Sequence, residues 1–163
     1  MTRFLLVLLI LAAIGVSYLG MYRAWHRRVR AQSVLPEPSG PTAGALLAGP
    51  WQGRYLGATH AGRWLDRIDA HDLGVRSIAT VSVTSLGIDI ERPQSRSIGI
   101  PYARLAGVRA DTAIAGRAYE DGGIVVLTML LGDTPVDVGI RFPDTEHHLA
   151  ALAAIAHHSE VAK

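Results

Sequence analysis

The longest apolar run of the chain lies near its start. From Phe4 to Tyr22, nineteen consecutive residues carry no formal charge, and an arginine-rich stretch follows at once. A helix rises about 1.5 Å per residue, so a run of this length nearly crosses a hydrocarbon core about 30 Å thick. The pattern therefore predicts a transmembrane helix, with residues 1–30 acting as a membrane anchor.

A cleaved signal peptide is the alternative interpretation of this segment. Such a peptide has an apolar core of about 7–15 residues followed by a cleavage site of small residues. Here the apolar run is longer and ends in arginines, and the chain contains no cysteine to which a lipid could be attached. These flanks favour an uncleaved signal-anchor.

The regular hydrophobic pattern is lost between Ala31 and Pro50. This stretch contains four prolines and three glycines and shows no sustained period. Such a composition predicts an irregular tether over residues 31–50. The remaining residues, 51–163, are enough for one domain with a hydrophobic core of its own.

After Pro50 the pattern changes to short runs in which apolar and polar residues alternate. A period of two indicates half-buried strands, and glycine and proline mark the turns between them. We predict seven strands, at residues 54–59, 76–84, 88–92, 97–100, 105–113, 124–131 and 136–142.

The last segment changes to a helical period. Asp144 is placed to cap a helix, and Glu146 lies in its first turn, where negative charge suits the helix dipole. The predicted apolar face, with spacings of three and four, consists of Leu149, Leu152, Ile155 and Ala156. We therefore predict a C-terminal amphipathic helix.

The segment from Gly62 to Gly74 is ambiguous. Its apolar positions fit either a short helix or a structured loop, and we predict the helix. Trp64 within this segment is expected to plug one end of the core rather than to serve as a platform for a ligand.

Seven antiparallel strands followed by one helix is the order of a PH-like barrel. The predicted fold class is α+β and mainly β, with an N-terminal transmembrane helix and a seven-stranded antiparallel barrel closed by the C-terminal helix. The chain also resembles actinobacterial single-span membrane proteins that carry a bacterial PH-like domain. The resemblance rests on the anchor with its arginine flank and on residues 55–57, 64–68, 73–74, 100–101, 123–128 and 139–142. It implies the fold and a membrane location, and it implies almost nothing about chemistry.

The distribution of charge differs between the anchor and the rest of the chain. Residues 1–30 carry five arginines and no acidic residue, whereas residues 31–163 carry eleven basic and fourteen acidic residues. A mildly acidic domain lacks the clustered basic surface that binding to a phosphate backbone needs. We therefore expect no nucleic-acid partner.

The arginine flank predicts the orientation of the anchor. Four arginines follow the apolar run and one precedes it, so the positive-inside rule places the N-terminus outside and the chain from Arg23 onward in the cytoplasm. The same arginines could also attract anionic lipid. The predicted membrane-interface residues are Tyr18, Tyr22, Arg23, Trp25, Arg27, Arg28 and Arg30.

No motif for catalysis or for a cofactor is found in the sequence. There is no cysteine, no Gly-x-Ser-x-Gly and no glycine-rich phosphate loop, and the only lysine is the last residue. Asp133 and Asp137 bracket a predicted turn and are expected to be solvated, and Asp89 and Glu91 are expected to repel each other on one strand face. We predict a non-enzymatic protein without a cofactor.

Seven histidines raise the possibility of a metal site. His147-His148 and His157-His158 lie on the predicted helix about 15 Å apart, and no pair has the i, i+4 spacing of a helical chelate. His60 and His71 flank a segment with three aspartates, but nothing in the sequence fixes their geometry. We predict no metal site.

The region around the first two strands offers four arginines as possible contacts for a lipid headgroup or a partner. They are Arg54, Arg63, Arg67 and Arg76. Three aspartates are interspersed and would partly neutralise a phosphate site, namely Asp66, Asp69 and Asp72. We therefore expect Arg67 to pair with a nearby aspartate in a fixed loop.

Three functional hypotheses follow. The first is a membrane-tethered cytoplasmic PH-like module that recruits a protein or peptide partner, by strand addition at an open sheet edge or beside the C-terminal helix. The second is a reader of anionic lipid headgroups. The third is an extracytoplasmic or transport-associated accessory protein, which requires the inverted topology. We favour the first.

Overall fold

The computed structural model describes the backbone of residues 2–32 and 35–161 and the side chains of residues 7–24 and 35–161. The chain forms two compact units that divide after Val34. The first unit contains the helix α1, Thr2–Gln32. Its segment Val7–Ala24 is long and apolar enough to cross a membrane, judged by length and composition. The predicted N-terminal apolar helix is thereby confirmed.

The second unit is built mainly from strands. Its elements are β1 (Leu46–His60), β2 (Arg67–Ile68), β3 (Ser77–Thr84), β4 (Gly87–Glu91), β5 (Ile98–Pro101), β6 (Leu105–Asp111), β7 (Ala113–Ile114), β8 (Arg117–Ala118), β9 (Ile124–Leu131), β10 (Thr134–Arg141) and α2 (Thr145–Val161). Two short 3₁₀ turns lie at Ala70–Asp72 and Tyr102–Arg104.

Eight strands form one antiparallel sheet, in which β2 pairs only with β1 and the other seven lie in the order β5-β4-β3-β1-β10-β9-β6. These are the seven predicted strands, and the six that follow β1 lie within two residues of their predicted bounds. The sequence does not predict β2, which pairs with β1, or β7 and β8, which form a separate hairpin. The predicted closed barrel is corrected: among the described residues the sheet ends at β5 and β6, and these two strands are not paired.

The central strand β1 is longer than predicted. It begins at Leu46, inside residues 31–50, which the sequence predicts to be an irregular tether. That prediction arises because the prolines and glycines of this stretch, including a Gly-Pro pair, suggest a break in any strand. The first part of β1 pairs with β3 and the last part with β10, and the change occurs at Arg54 and Tyr55 beside a bulge. Such a bulge bends the strand, so that β1 runs through both halves of the sheet.

Residues 35–42, here called the strap, lie along the β5 end of the sheet. The backbone amide of Gly99 in β5 donates a hydrogen bond to the carbonyl oxygen of Ser39 at 2.8 Å. Thr42 donates from its amide and its hydroxyl to the carboxylate of Asp89, at 2.7 and 3.1 Å. The strap therefore covers part of the β5 edge, one of the two sheet edges at which strand addition could occur.

The helix predicted between Gly62 and Gly74 does not form. The chain makes a turn, the short strand β2 and a 3₁₀ turn instead. Ile68 pairs with Ala58 of β1 and is fully buried, so this residue enters the core from a strand. His71 has φ 54°, in the left-handed region, which interrupts any helix here. The apolar spacing fits a helix, but pairing with β1 outweighs it.

The main core lies between the sheet and α2. From α2, Ala151 and Ile155 are fully buried against the strands. Asp144 caps the helix as predicted, since its carboxylate accepts a hydrogen bond from the His147 amide at 2.8 Å. Leu149 is 57% exposed and does not belong to the buried face. That face is centred on the two fully buried positions, two and six residues further along.

Tyr55 links the core to the 3₁₀ turn after β2. Its side chain is fully buried, and its hydroxyl donates to the carbonyl oxygen of Leu73 at 2.8 Å. Replacing Tyr55→Phe keeps the ring but leaves this carbonyl without its donor, so we expect the free energy of unfolding to fall by about 1 kcal/mol. Thermal unfolding measures the change. Tyr119→Phe is the control, since that hydroxyl makes no hydrogen bond in the described residues, and an equal loss in both variants would contradict the prediction.

Candidate binding groove

The outer face of the sheet carries a row of three facing residues. Arg54 of β1 stands opposite Ile78 of β3 on one side and opposite Arg141 of β10 on the other. All three are exposed, whereas Tyr55, the next residue of β1, is buried in the core. The alternation of a strand thus places two arginines and one isoleucine side by side toward solvent.

The β7–β8 hairpin forms one wall beside this row. It packs on two glycines of the sheet: a Cβ atom at Gly57 would lie 3.2 Å from the Cβ of Ala115, and one at Gly139 would lie 2.6 Å from the Cγ2 of Ile114. The absence of a side chain at both positions lets the hairpin approach this closely. Arg117, on β8, is thereby held over the outer face.

Between the hairpin and the outer face lies a groove of about 540 Å³, here called the arginine groove. Its charged lining consists of Arg54, Arg76, Arg117 and Arg141. Its main apolar lining consists of Leu56, Ile78, Tyr119 and Phe142. Within the part of the chain that the structure describes, no acidic residue lines it.

Arg141 is the one groove arginine that pairs with a carboxylate of the described residues. Its Nη2 lies 2.7 Å from the Oε1 of Glu120, and its guanidinium lies 5.3 Å from the centre of the Tyr119 ring. Both partners come from the segment that follows the hairpin. This side chain is therefore held in place at one end of the groove.

The other three arginines have no carboxylate partner in the described residues. Arg76 donates to the carbonyl oxygens of Leu56 at 3.1 Å and of Ala115 at 3.4 Å. Burial, and then repulsion by Arg117, lower the pKa of Arg76. The groove is therefore a concentration of positive charge on an otherwise mildly acidic domain.

The structure brings together only two of the four predicted contact arginines, Arg54 and Arg76. Arg63 lies outside the groove, 3.8 Å from Asp66, and is well exposed. Arg67 pairs with Asp69 at 2.9 Å and also donates to a backbone carbonyl, so the predicted pairing with an aspartate is confirmed. The sequence does not single out the two arginines that complete the groove, Arg117 and Arg141.

The predicted membrane-interface residues lie on α1. Three of them have described side chains and are exposed on that helix, namely Tyr18, Tyr22 and Arg23. The side chains of the other four lie outside the described residues, namely Trp25, Arg27, Arg28 and Arg30. Their role at a membrane interface stays a prediction.

Asp137 is buried, in contrast to the solvated carboxylate that the sequence suggests. It is 3% exposed and accepts hydrogen bonds from Arg109 at 2.8 Å, from the Thr128 hydroxyl at 2.6 Å and from the Gly62 amide at 3.1 Å. Burial by itself would raise the pKa of Asp137, but these hydrogen bonds outweigh it and hold the pKa below its usual value. Because both of its oxygens are engaged, the carboxylate fixes the turn after β1.

Trp64 does not plug the core. Its side chain is 43% exposed, and that of the adjacent Leu65 is 68% exposed. The carbonyl oxygen of Trp64 accepts a hydrogen bond from the Gly116 amide at 2.9 Å, which ties this turn to the β7–β8 hairpin. The turn after β1 therefore faces outward, and the core is completed by Ile68 instead.

Asp89 does not stand beside Glu91 as an unpaired repelling charge. It is 8% exposed and bound by Thr42 of the strap, whereas Glu91 is exposed. The donor lies 47 residues away in sequence, so strand pattern alone does not reveal it.

The described histidines make contacts of different kinds, and only His157 and His158 contact each other, with ring centres 5.2 Å apart. His147 contacts the carboxylate of Asp144 at the start of α2, and the Nε2 of His71 lies 2.8 Å from the carbonyl oxygen of Leu35. Across the described residues, no group of three or more His, Cys, Asp or Glu is placed to hold a metal ion.

Comparison with known proteins identifies the family. A family model described as bacterial PH domain-like matches residues 32–156, about three quarters of the chain. Neither the curated proteins nor the solved structures give a match. The matched range includes every strand of the sheet and most of α2. The chain therefore belongs to the bacterial PH domain-like family.

Proposed function

We propose that the chain is a membrane-anchored binding module, not an enzyme, that recruits a protein partner at the cytoplasmic face of the membrane. The observation that carries this proposal is the arginine groove, which is open and basic, and in which three of the four arginines have no carboxylate partner among the described residues. Membership of a PH-like family agrees with a binding role. The apolar segment Val7–Ala24 and the arginines that follow it support the anchor and its orientation.

A lipid headgroup is the second candidate ligand, because guanidinium groups also bind phosphate. The exposed Ile78, at 59%, and the half-buried ring of Tyr119 favour a protein segment instead. A headgroup has no apolar group to bury against them, whereas a peptide side chain does.

The orientation can be tested by cysteine labelling, since the chain contains no cysteine. We expect Gln94→Cys, at an exposed position, to react with a membrane-impermeant maleimide only after the cells are lysed. Thr2→Cys should react in intact cells. Labelling of Gln94→Cys in intact cells would place the domain outside and support an extracytoplasmic accessory protein.

The partner can be tested by photocrosslinking in the full chain. A benzophenone side chain introduced at Ile78 should give adducts with a protein in native membranes, and the same group at the exposed Leu149 of α2 is the control. The adduct should disappear when Arg54→Glu and Arg117→Glu are combined. Adducts with lipid alone, or no adducts specific to position 78, would contradict protein recruitment.

A further inference from the structure

The arginine groove brings like charges close together, and this has a cost for the folded protein. Arg54 and Arg141 stand opposite each other on paired strands, where like charges are destabilising. Arg117 adds a third charge near the half-buried Arg76. Such a cluster of like charges lowers the stability of the folded protein, and locally destabilising arrangements of this kind concentrate at functional sites.

The size of the groove argues against a single small anion. Its volume is about 540 Å³, in the range of sites for organic ligands, and the arginines line it together with apolar side chains. A lone phosphate or sulfate would leave most of this space and the exposed Ile78 without contacts.

The chemistry of the lining indicates carboxylates next to apolar groups. The planar guanidinium group matches a carboxylate through two parallel hydrogen bonds. Ile78 and Tyr119 offer apolar surface within the same groove as the guanidinium groups of Arg54 and Arg117. An extended peptide places successive side chains at regular spacing, so it can present acidic and apolar groups to one surface.

We infer that the arginine groove binds an extended acidic segment of a protein partner, with carboxylates at Arg54 and Arg117 and an apolar side chain against Ile78. This inference rests on the proposed function and names the chemistry of the partner. The pair of Arg141 and Glu120 closes one end of the groove and orients the segment.

The test uses the full chain in nanodiscs of phosphatidylcholine, a zwitterionic lipid without net charge. The probe is a fluorescent peptide of three Glu-Glu-Leu repeats, and binding is followed by anisotropy. Combining Arg54→Glu with Arg117→Glu should weaken binding by roughly 30-fold or more, because two positive charges of the groove are reversed. The control combines Arg63→Glu with Arg104→Glu, exposed arginines outside the groove that give the same change in net charge, and should weaken binding by less than about threefold.

Two further variants separate charge from apolar contact and from misfolding. Arg54→Gln combined with Arg117→Gln removes the charges without adding new ones and should give an intermediate loss. Ile78→Ser should remove the preference for the Glu-Glu-Leu peptide over a Glu-Glu-Ser peptide, which we expect to be roughly fivefold in the unmodified chain. An equal affinity for both peptides in the unmodified chain would overturn the apolar part of the inference.

Three results would overturn the inference as a whole. The groove and control variants could lose binding equally, which would mean unspecific attraction. Inositol trisphosphate could bind the groove while the peptide fails to bind, which would assign the groove to a headgroup. The peptide could fail to bind while the protein adduct from Ile78 persists, which would leave the proposed function standing and make the acidic chemistry wrong. Absence of the protein adduct from position 78 in a chain with all groove arginines intact contradicts the proposed function separately.

Discussion

Replacing Asp137→Ala is expected to lower the free energy of unfolding by about 3 kcal/mol, because it removes the acceptor of a buried ionic network. The Arg109 guanidinium, the Thr128 hydroxyl and the Gly62 amide all donate to this carboxylate. Arg109 is 43% exposed at its side chain and can recover some hydration, so the cost stays below that of a fully buried unpaired charge. For a domain of this size the loss corresponds to a melting temperature lower by about 10 °C.

Asp133 provides a matched control for this experiment. It lies four residues before Asp137, at an exposed position in the turn between β9 and β10. Asp133→Ala should change the free energy of unfolding by less than about 0.5 kcal/mol. Thermal or denaturant unfolding of the full chain measures both variants. Similar small losses in the two would show that the Asp137 network contributes little.

The same carboxylate predicts a pH dependence. The pKa of Asp137 in the folded protein is lowered, so below its unfolded pKa of about 3.9 the unfolded state takes up the proton first. The contribution of Asp137 is therefore complete above about pH 4 and is lost as the pH falls through the folded pKa. The stability difference between the unmodified chain and Asp137→Ala should be constant from about pH 7 to 5 and shrink below about pH 4. A difference that grows on acidification would contradict this sign.

The elements that local pattern determines could be predicted from the sequence. Six of the seven predicted sheet strands are short apolar or alternating runs with well-marked turns between them, and the sequence predicts β9, Ile124–Leu131, at its observed bounds. The cap at Asp144 is a contact between neighbours in sequence, and it too could be recognised. The start of β1 could not, because a Gly-Pro pair at residues 49–50 suggests a break, whereas pairing with β3 keeps the strand continuous.

The arginine groove could not be predicted because it depends on register. Arg54 and Arg141 are 87 residues apart in sequence and become neighbours only when β1 pairs with β10 in one particular alignment. Arg117 reaches the same place because Gly57 and Gly139 let a short hairpin rest on the sheet. No local sequence motif indicates that residues so far apart in the chain become neighbours. The sequence does not reveal the burial of Asp137 for the same reason, since its donors come from three separate parts of the chain.

Replacing Gly99→Ala is expected to detach the strap from β5 and to lower the free energy of unfolding by about 3 kcal/mol. A Cβ atom at Gly99 would collide with the carbonyl group of Gly40, which is backbone and cannot turn aside as a side chain does. Moving the strap would break the hydrogen bond from Gly99 to Ser39 and would pull Thr42 from Asp89. Asp89 is nearly buried, so the loss of its donors carries a further desolvation cost.

Hydrogen–deuterium exchange is the measurement that separates this effect from a general loss of stability. In the unmodified chain the Thr42 amide is bonded to a nearly buried carboxylate and should exchange slowly. In Gly99→Ala its exchange should be at least roughly tenfold faster, while amides in the centre of β9 keep their relative protection. Gly107→Ala is the control, because Gly107 also lies in a strand and a Cβ there meets nothing within 4 Å. If the strap stayed protected in Gly99→Ala, the close approach of Gly40 to β5 would not be a fixed part of the fold, and the β5 edge would again be open to strand addition by a partner.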